Sequence, residues 1–213
     1  MPENTITNSI PVVYRHLSHL ESAVECILQQ TLLPSEIIII ISEYNENEIN
    51  SSLLKKIDTK IKDKNIKSII KTYREKQYAG KNRQIAYNLC TSDIIIFQDC
   101  DDLTHKQRNE IFLKIHEKTK SPHILHGWTS DINAQFRPIN IDNIKISNKI
   151  NKVCTHNGAI FIKKSVYRNI IFPNIRIGED VVLNKKLLRS NSILIENNDM
   201  YIYRNHLSSW GDN

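Results

Sequence analysis

Residues 99–102 read Asp99-Cys100-Asp101-Asp102 and directly follow the apolar run Ile94-Ile95-Ile96-Phe97. A short, β-branched apolar run predicts a buried strand. Carboxylates at its end stand at the carboxyl edge of an open α/β sheet, where such sheets bind ligands. Side chains alternate along extended chain, so Asp99 and Asp101 are expected on one side. Carboxylates that converge repel each other unless a cation lies between them. Mn2+ or Mg2+ suits oxygen ligands and completes its shell with substrate phosphates. The same four residues also suit a polar turn. Gly178-Glu179-Asp180 precedes the amphipathic run Val181, Val182, Leu183, Leu187 and Leu188; two acids there also complement a helix dipole. His206, with Ser208 and Ser209, follows Tyr201-Ile202-Tyr203-Arg204 and reads equally as a solvated side chain. Lys81 and Arg83 open a helix, where positive charge and free N–H groups suit a diphosphate, or they are surface residues.

The elements that must position these groups alternate. Strands are expected at Ser9–Tyr14, Glu36–Ile41, Lys67–Thr72 and Ile94–Gln98, the first kept short or at a sheet edge by Pro11. Helices are expected from Ser18, with Glu21 completing a capping box, over Glu46–Lys62, and from Ala79 to Cys90. Thr104 and Gln107 form a second capping box before a helix over Lys106–Lys118. Further strands are read at His123–Trp128, Gly158–Ile162, Ile193–Glu196 and Met200–Arg204, with a helix over Glu179–Arg189. Residues 131–156 look irregular and substrate-facing. Strand and helix alternate four times in the first half, which predicts a mainly parallel sheet flanked by helices. Its crevice at the switch point takes the ends of the strands, including Ser42-Glu43. No linker or composition break divides the chain, so one domain is expected.

The chain has 213 residues, 40% apolar and 24% charged, which is ordinary for a globular protein. Its formal charge of +6 favours anionic partners. Many of the lysines lie between Lys55 and Lys76, alternating with isoleucine, and read as the wet face of a helix and strand. No series of aromatics is interleaved there to stack on bases, so no nucleic-acid partner is expected. Cys26, Cys90, Cys100 and Cys154 form no CxxC pair or disulfide framework, which favours a reducing compartment. The N-terminus lacks a signal-peptide core and no apolar run reaches membrane-spanning length, so a cytoplasmic protein without an integral membrane segment is expected.

In order and spacing these features resemble family 2 of the nucleotide-diphospho-sugar glycosyltransferases, which have the GT-A fold. Ser9-Ile10-Pro11-Val12-Val13-Tyr14 with Gln30-Thr31-Leu32-Leu33-Pro34-Ser35-Glu36-Ile37-Ile38 is similar to the family's opening strand, helix and second strand. Ala79-Gly80-Lys81-Asn82-Arg83 resembles its "G-x-x-x-R-N" helix start, and Ser92-Asp93 through Asp102 its "GD-I-x-F-x-D-x-D-D" element. Gly158-Ala159-Ile160-Phe161 followed by Gly178-Glu179-Asp180 resembles the acceptor-side strand and "ED" motif, and His206 with Ser208 the "H-x-x-S" element. Two departures stand out: Ser42-Glu43 replaces a frequent aspartate pair, and Arg15 stands where asparagine is frequent.

The resemblance implies a single GT-A, Rossmann-like α/β domain over 1–213. Its donor-binding half is about 1–103 and its acceptor-side half about 104–213, with a smaller antiparallel element in the latter. It implies a metal-dependent, inverting hexosyl- or N-acetylhexosaminyl-type transferase using a nucleotide sugar, UDP-linked by family habit. The acceptor would be a glycan, a protein or a lipid-linked saccharide. Asp180 would be the base, with Glu179 supporting it. Pro11, Val13, Glu43, Arg83, Asp99, Cys100 and Asp101 would face the donor, and Asp101 with His206 would hold Mn2+ or Mg2+. Asp102, Trp128, His156 and Gly158 would lie on the acceptor side, Asp102 touching metal or sugar. The rival readings are a non-catalytic sugar-nucleotide-binding protein of the same fold and a sugar nucleotidyltransferase. Tyr14-Arg15-His16-Leu17-Ser18-His19 lacks the glycines that the second rival needs.

Overall fold

A computed structural model describes residues 4–130, 136–148, 150, 156–188, 191–196 and 198–204. The strands are β1 (Ile6–Val13), β2 (Glu36–Ser42), β3 (Lys67–Thr72), β4 (Ile94–Phe97), β5 (Leu103–Thr104), β6 (His123–His126), β7 (Ile146–Ser147), β8 (Ile160–Lys163), β9 (Ser192–Ile195) and β10 (Tyr201–Ile202). The helices are α1 (Leu20–Leu28), α2 (Glu48–Lys62), α3 (Ala79–Leu89), α4 (Arg108–Thr119) and α5 (Glu179–Leu187). Eight strands form one sheet in the order β3-β2-β1-β4-β8-β6-β9-β7, and β10 pairs with β5 in a separate antiparallel ribbon. Within the large sheet β8 runs against β4 and β6, and β7 against β9; the other pairings are parallel.

The run Ile37–Ile41 is fully buried because helices cover both faces of the sheet. Ile37, Ile39 and Ile41 pack with α1 and α2, while Ile38 and Ile40 pack with Ala86 and Tyr87 of α3 and Leu183 and Leu187 of α5. On β4 the same alternation sends Ile94 and Ile96 to α4 and Ile95 and Phe97 to α3 and α5.

Several expectations need correction. Pro11 does not place β1 at an edge: β1 lies between β2 and β4. The pairing of β1 with β4 ends at Ser9, whose carbonyl accepts from Gln98 N–H at 2.9 Å. Pro11 is two residues further on and faces the same side, where β4 has already left the ladder, so no donor is missed. Neither capping box forms. Residues Tyr14–His19 wind as a 3₁₀ turn, which puts Ser18 inside helical backbone and makes His19 the residue preceding α1. Thr104 belongs to β5 and donates to Gln98 Oε1 at 3.0 Å, while His105 Nδ1 accepts the Gln107 N–H at 3.0 Å. The irregular segment 131–156 supplies β7 to the sheet. The strand expected to reach Trp128 ends at His126. Cys154, His206, Ser208 and Ser209 lie outside the described residues.

Candidate active site

At one edge of the large sheet the carboxyl ends of β1, β2, β4 and β6 meet the start of β8. β4 runs directly into the acidic tetrad, but the tetrad is not extended. The chain turns there, with Asp102 N–H donating to Asp99 carbonyl oxygen at 3.3 Å. A turn of that kind brings residues i and i+3 together and cancels strand alternation, so the expected pairing of Asp99 with Asp101 is replaced by Asp99 with Asp102. Ligand atoms of Asp99, Asp102 and His156 lie within 4.8 Å of one another.

Each carboxylate has its own surroundings. Asp99 Oδ1 accepts from Arg83 Nη2, and its Oδ2 lies 3.5 Å from His156 Nε2. Asp101 Oδ2 lies 3.0 Å from Nδ1 of His16, which sits in the 3₁₀ turn after β1. Asp102 is fully buried: Tyr201 hydroxyl donates to Oδ2 at 2.7 Å and Arg204 N–H to Oδ1 at 2.9 Å. Burial, then the charges of Asp99 and Asp101, push its carboxyl up to about 8. Cys100 points inward, its thiol donating to His16 carbonyl oxygen at 3.3 Å, so only its backbone is offered to a ligand.

Arg83 joins the two halves of the site. From the second turn of α3 its Nη2 reaches Asp99 and its Nη1 reaches Glu179 Oε1 at the start of α5. Burial favours the neutral guanidine, but Asp99 and Glu179 outweigh it and hold Arg83 protonated. With Nη1 and Nη2 on two carboxylates, Arg83 clamps the end of β4 to the start of α5. The approach of α5 to α3 is close: a Cβ on Gly80 would fall 1.9 Å from Pro173 carbonyl oxygen and 3.1 Å from Glu179 Oε2. Asp180 follows, its Oδ1 accepting the Val181 N–H at 2.8 Å. Its charge reaches His156, whose ring is shifted toward the neutral form chiefly by burial.

Below these groups lies Arg108, 1% exposed. Its Nη2 donates to Phe97 carbonyl oxygen at 2.9 Å and to Gly158 carbonyl oxygen, stapling the end of β4 to the start of β8. Its Nε donates to His126 Nε2 at 2.8 Å. His126 Nδ1 lies 2.7 Å from Gly127 carbonyl oxygen, which fixes the neutral tautomer. Burial, then Arg108, hold that imidazole well below its ordinary range. Gly158 has no room for a side chain, since a Cβ would meet Tyr201 hydroxyl at 2.2 Å. The Trp128 ring, at the edge of the site, lies 6.3 Å from His156 and 5.4 Å from Tyr203.

At the same sheet edge, Val13 ends β1 and Glu43 follows β2 with φ of 57°, a left-handed backbone its amide holds by donating to Glu75 carbonyl oxygen at 3.1 Å. Ser42 Oγ accepts from Asn82 Nδ2 at 3.1 Å, tying that strand end to α3. Arg108, Tyr201 and His16 were not singled out from the sequence. Only Arg108 left a trace there, as a cation in the first turn of a helix, where the dipole disfavours it.

A Rossmann-like sheet with carboxylates at its switch point and a small antiparallel ribbon is the GT-A architecture. The model of glycosyl transferase family 2 matches residues 10–170, and the chain belongs to that family. A UDP-Gal:alpha-D-GlcNAc-diphosphoundecaprenol beta-1,3-galactosyltransferase of Escherichia coli is 29% identical over 119 residues, which are 56% of this chain and 40% of the relative. The crystal structure of S. aureus TarS 1–349 in complex with UDP-GlcNAc has a TM-score of 0.73 at 14% identity, covering 95% of this chain and 59% of that one. Mannosyltransferase PcManGT from Pyrobaculum calidifontis, in complex with GDP-Man and Mn2+, has a TM-score of 0.65 at 15% identity, covering 91% and 55%. The chain thus spans less than two thirds of each of these proteins. Among the described residues no helix is long and apolar enough to cross a membrane.

Proposed function

We propose that the protein transfers a sugar from a nucleoside diphosphate, UDP by preference, to an acceptor hydroxyl with inversion at the anomeric carbon. The observation that carries this reading is the Arg83 clamp, which links the Asp99 carboxylate to the Glu179-Asp180 pair. Asp180 takes the acceptor hydroxyl's proton as the new C–O bond forms, and the bond from the anomeric carbon to the diphosphate breaks. Glu179, held by Arg83, keeps the start of α5 in place. Asp99 and Glu43 accept hydrogen bonds from the nucleoside, with Pro11 and Val13 beside it, and Trp128 offers a ring face to the acceptor sugar.

The donor set Asp99, Asp102 and His156 suits Mn2+ or Mg2+, being two carboxylates and one imidazole. A cation there also relieves the repulsion that raises the Asp102 pKa. Asp101, in the same turn but paired with His16, and His206 would be the further ligands expected from the family pattern. When bound, such an ion stabilises the leaving diphosphate as a Lewis acid. The Escherichia coli relative's name gives a diphosphoundecaprenol-linked GlcNAc as its acceptor, which supports a lipid-linked saccharide here.

Release of nucleoside diphosphate from a panel of nucleotide sugars, with and without Mn2+, tests the proposal. Turnover is expected with UDP-sugars and Mn2+. Asp180→Asn is expected to lower it by about 10²–10⁴-fold while donor-induced thermal stabilisation persists. An Asp180→Asn protein that turns over at the parent rate removes the base. The absence of stabilisation by any nucleotide sugar removes the donor reading.

A further inference from the structure

Nine large hydrophobic side chains are exposed among the described residues, and six of them fall within residues 166–182: Val166, Ile171, Ile175, Ile177, Val181 and Val182. Ile171 and Ile177 are 67% and 68% exposed. Single exposed apolar residues are ordinary, but a run of them within one short segment marks an interaction site. Helix α5 shows the pattern most clearly. Leu183 and Leu187 face the core, whereas Val181 and Val182 face out and are followed one turn later by exposed Lys185 and Lys186. Arg168 and Arg176 are exposed between the isoleucines. The acids of this stretch, Glu179 and Asp180, are half-buried at the candidate active site, so the exposed ionisable side chains within residues 168–186 are all cations; Val166 lies apart, in a depression it shares with the exposed Glu117.

Apolar side chains rimmed by lysine and arginine match an anionic bilayer, with the apolar groups in the acyl boundary and the cations at phosphate depth. A second copy placed on the same face by a two-fold axis brings like charges together. We infer that the surface formed by Arg168–Ile177 and the outer face of α5 docks on an anionic lipid membrane. The inference rests on the lipid-linked acceptor proposed above: Asp180 lies at the head of α5, so docking opens the proposed base beside the membrane that carries such an acceptor.

Sedimentation with vesicles of phosphatidylcholine, alone or mixed with phosphatidylglycerol, tests the inference. The protein is expected to pellet with the anionic vesicles and not with the neutral ones. Ile171→Ser with Ile177→Ser is expected to lower the partition coefficient by about tenfold or more. Lys185→Glu with Lys186→Glu is expected to lower it also, and salt to weaken what remains. These side chains are exposed, so the melting temperature of each variant reports that the fold is intact. A protein that stays in the supernatant, variants that pellet like the parent, or a dimer that the isoleucine pair maintains in place of vesicle binding each overturn the inference. UDP-sugar stabilisation, measured alongside, separates the two readings. If it persists without vesicle binding, docking alone fails; if it is absent while the protein pellets, the transferase reading fails.

Discussion

Arg83→Gln removes the charge that joins two carboxylates while keeping much of the side chain's bulk. The Arg83 side chain is 3% exposed, and its partners Asp99 and Glu179 are 21% and 12% exposed. Removing one partner of a buried pair costs about 3–5 kcal/mol. Partial exposure of both acids lets water relieve some of that cost, which favours the lower end. For a chain of this size about 2–4 °C is lost per kcal/mol, so the melting temperature is expected to fall by about 6–20 °C. Without the guanidinium, Asp99 and Glu179 lose the cation that both contact. Adding Glu179→Gln to Arg83→Gln deletes one orphaned charge and is expected to restore about 0.5–3 kcal/mol. A variant within about 1 °C of the parent at neutral pH refutes the clamp.

Gly80→Ala places a Cβ 1.9 Å from Pro173 carbonyl oxygen and is expected to cost about 1–3 kcal/mol, read as a lower melting temperature; an unchanged one contradicts the close approach of α3 to the segment before α5. Saturation with Mn2+ to about 100 Kd stabilises by about 2.7 kcal/mol, and His156→Ala is expected to lose most of that shift, whereas an equal shift removes His156 from the cation set. In EDTA, Asp102 contributes stability that is full below its ordinary 3.8 and is lost as pH rises to about 8. Asp102→Asn is expected to flatten the fall in melting temperature across that window, and parallel curves for the two proteins refute the assignment.

The sheet was legible because isoleucine runs such as Ile37–Ile41 and Ile94–Phe97 admit few alternatives to a strand covered on both faces. The acidic tetrad and the Glu179-Asp180 pair were legible as chemistry, and the structure brings both to one sheet edge. What escaped was local geometry decided by tertiary contacts. Strand alternation, carried past Phe97, joins Asp99 to Asp101, but the turn at Cys100 gives Asp99 to Asp102 instead. Ser18 and Thr104 have the residue types of helix caps, yet the first is wound into a 3₁₀ turn and the second is drawn into β5 by Tyr201. Arg83 at a helix start suggested phosphate, and only the position of α5 shows it clasping two acids. Tyr201 is a hundred residues from Asp102 in sequence, and no short-range pattern links a hydroxyl donor to an acceptor so far away.

Arg108 meets no carboxylate among its described contacts, and burial lowers its pKa only to about 10, so it keeps its charge at neutral pH. An insulated cation under the floor of the cleft acts through low-dielectric protein, where dissolved ions do not gather. The many surface lysines lose their pull as ionic strength rises; Arg108 does not. Attraction for a polyanionic ligand is thus built into the scaffold itself and outlasts the screening of the exterior.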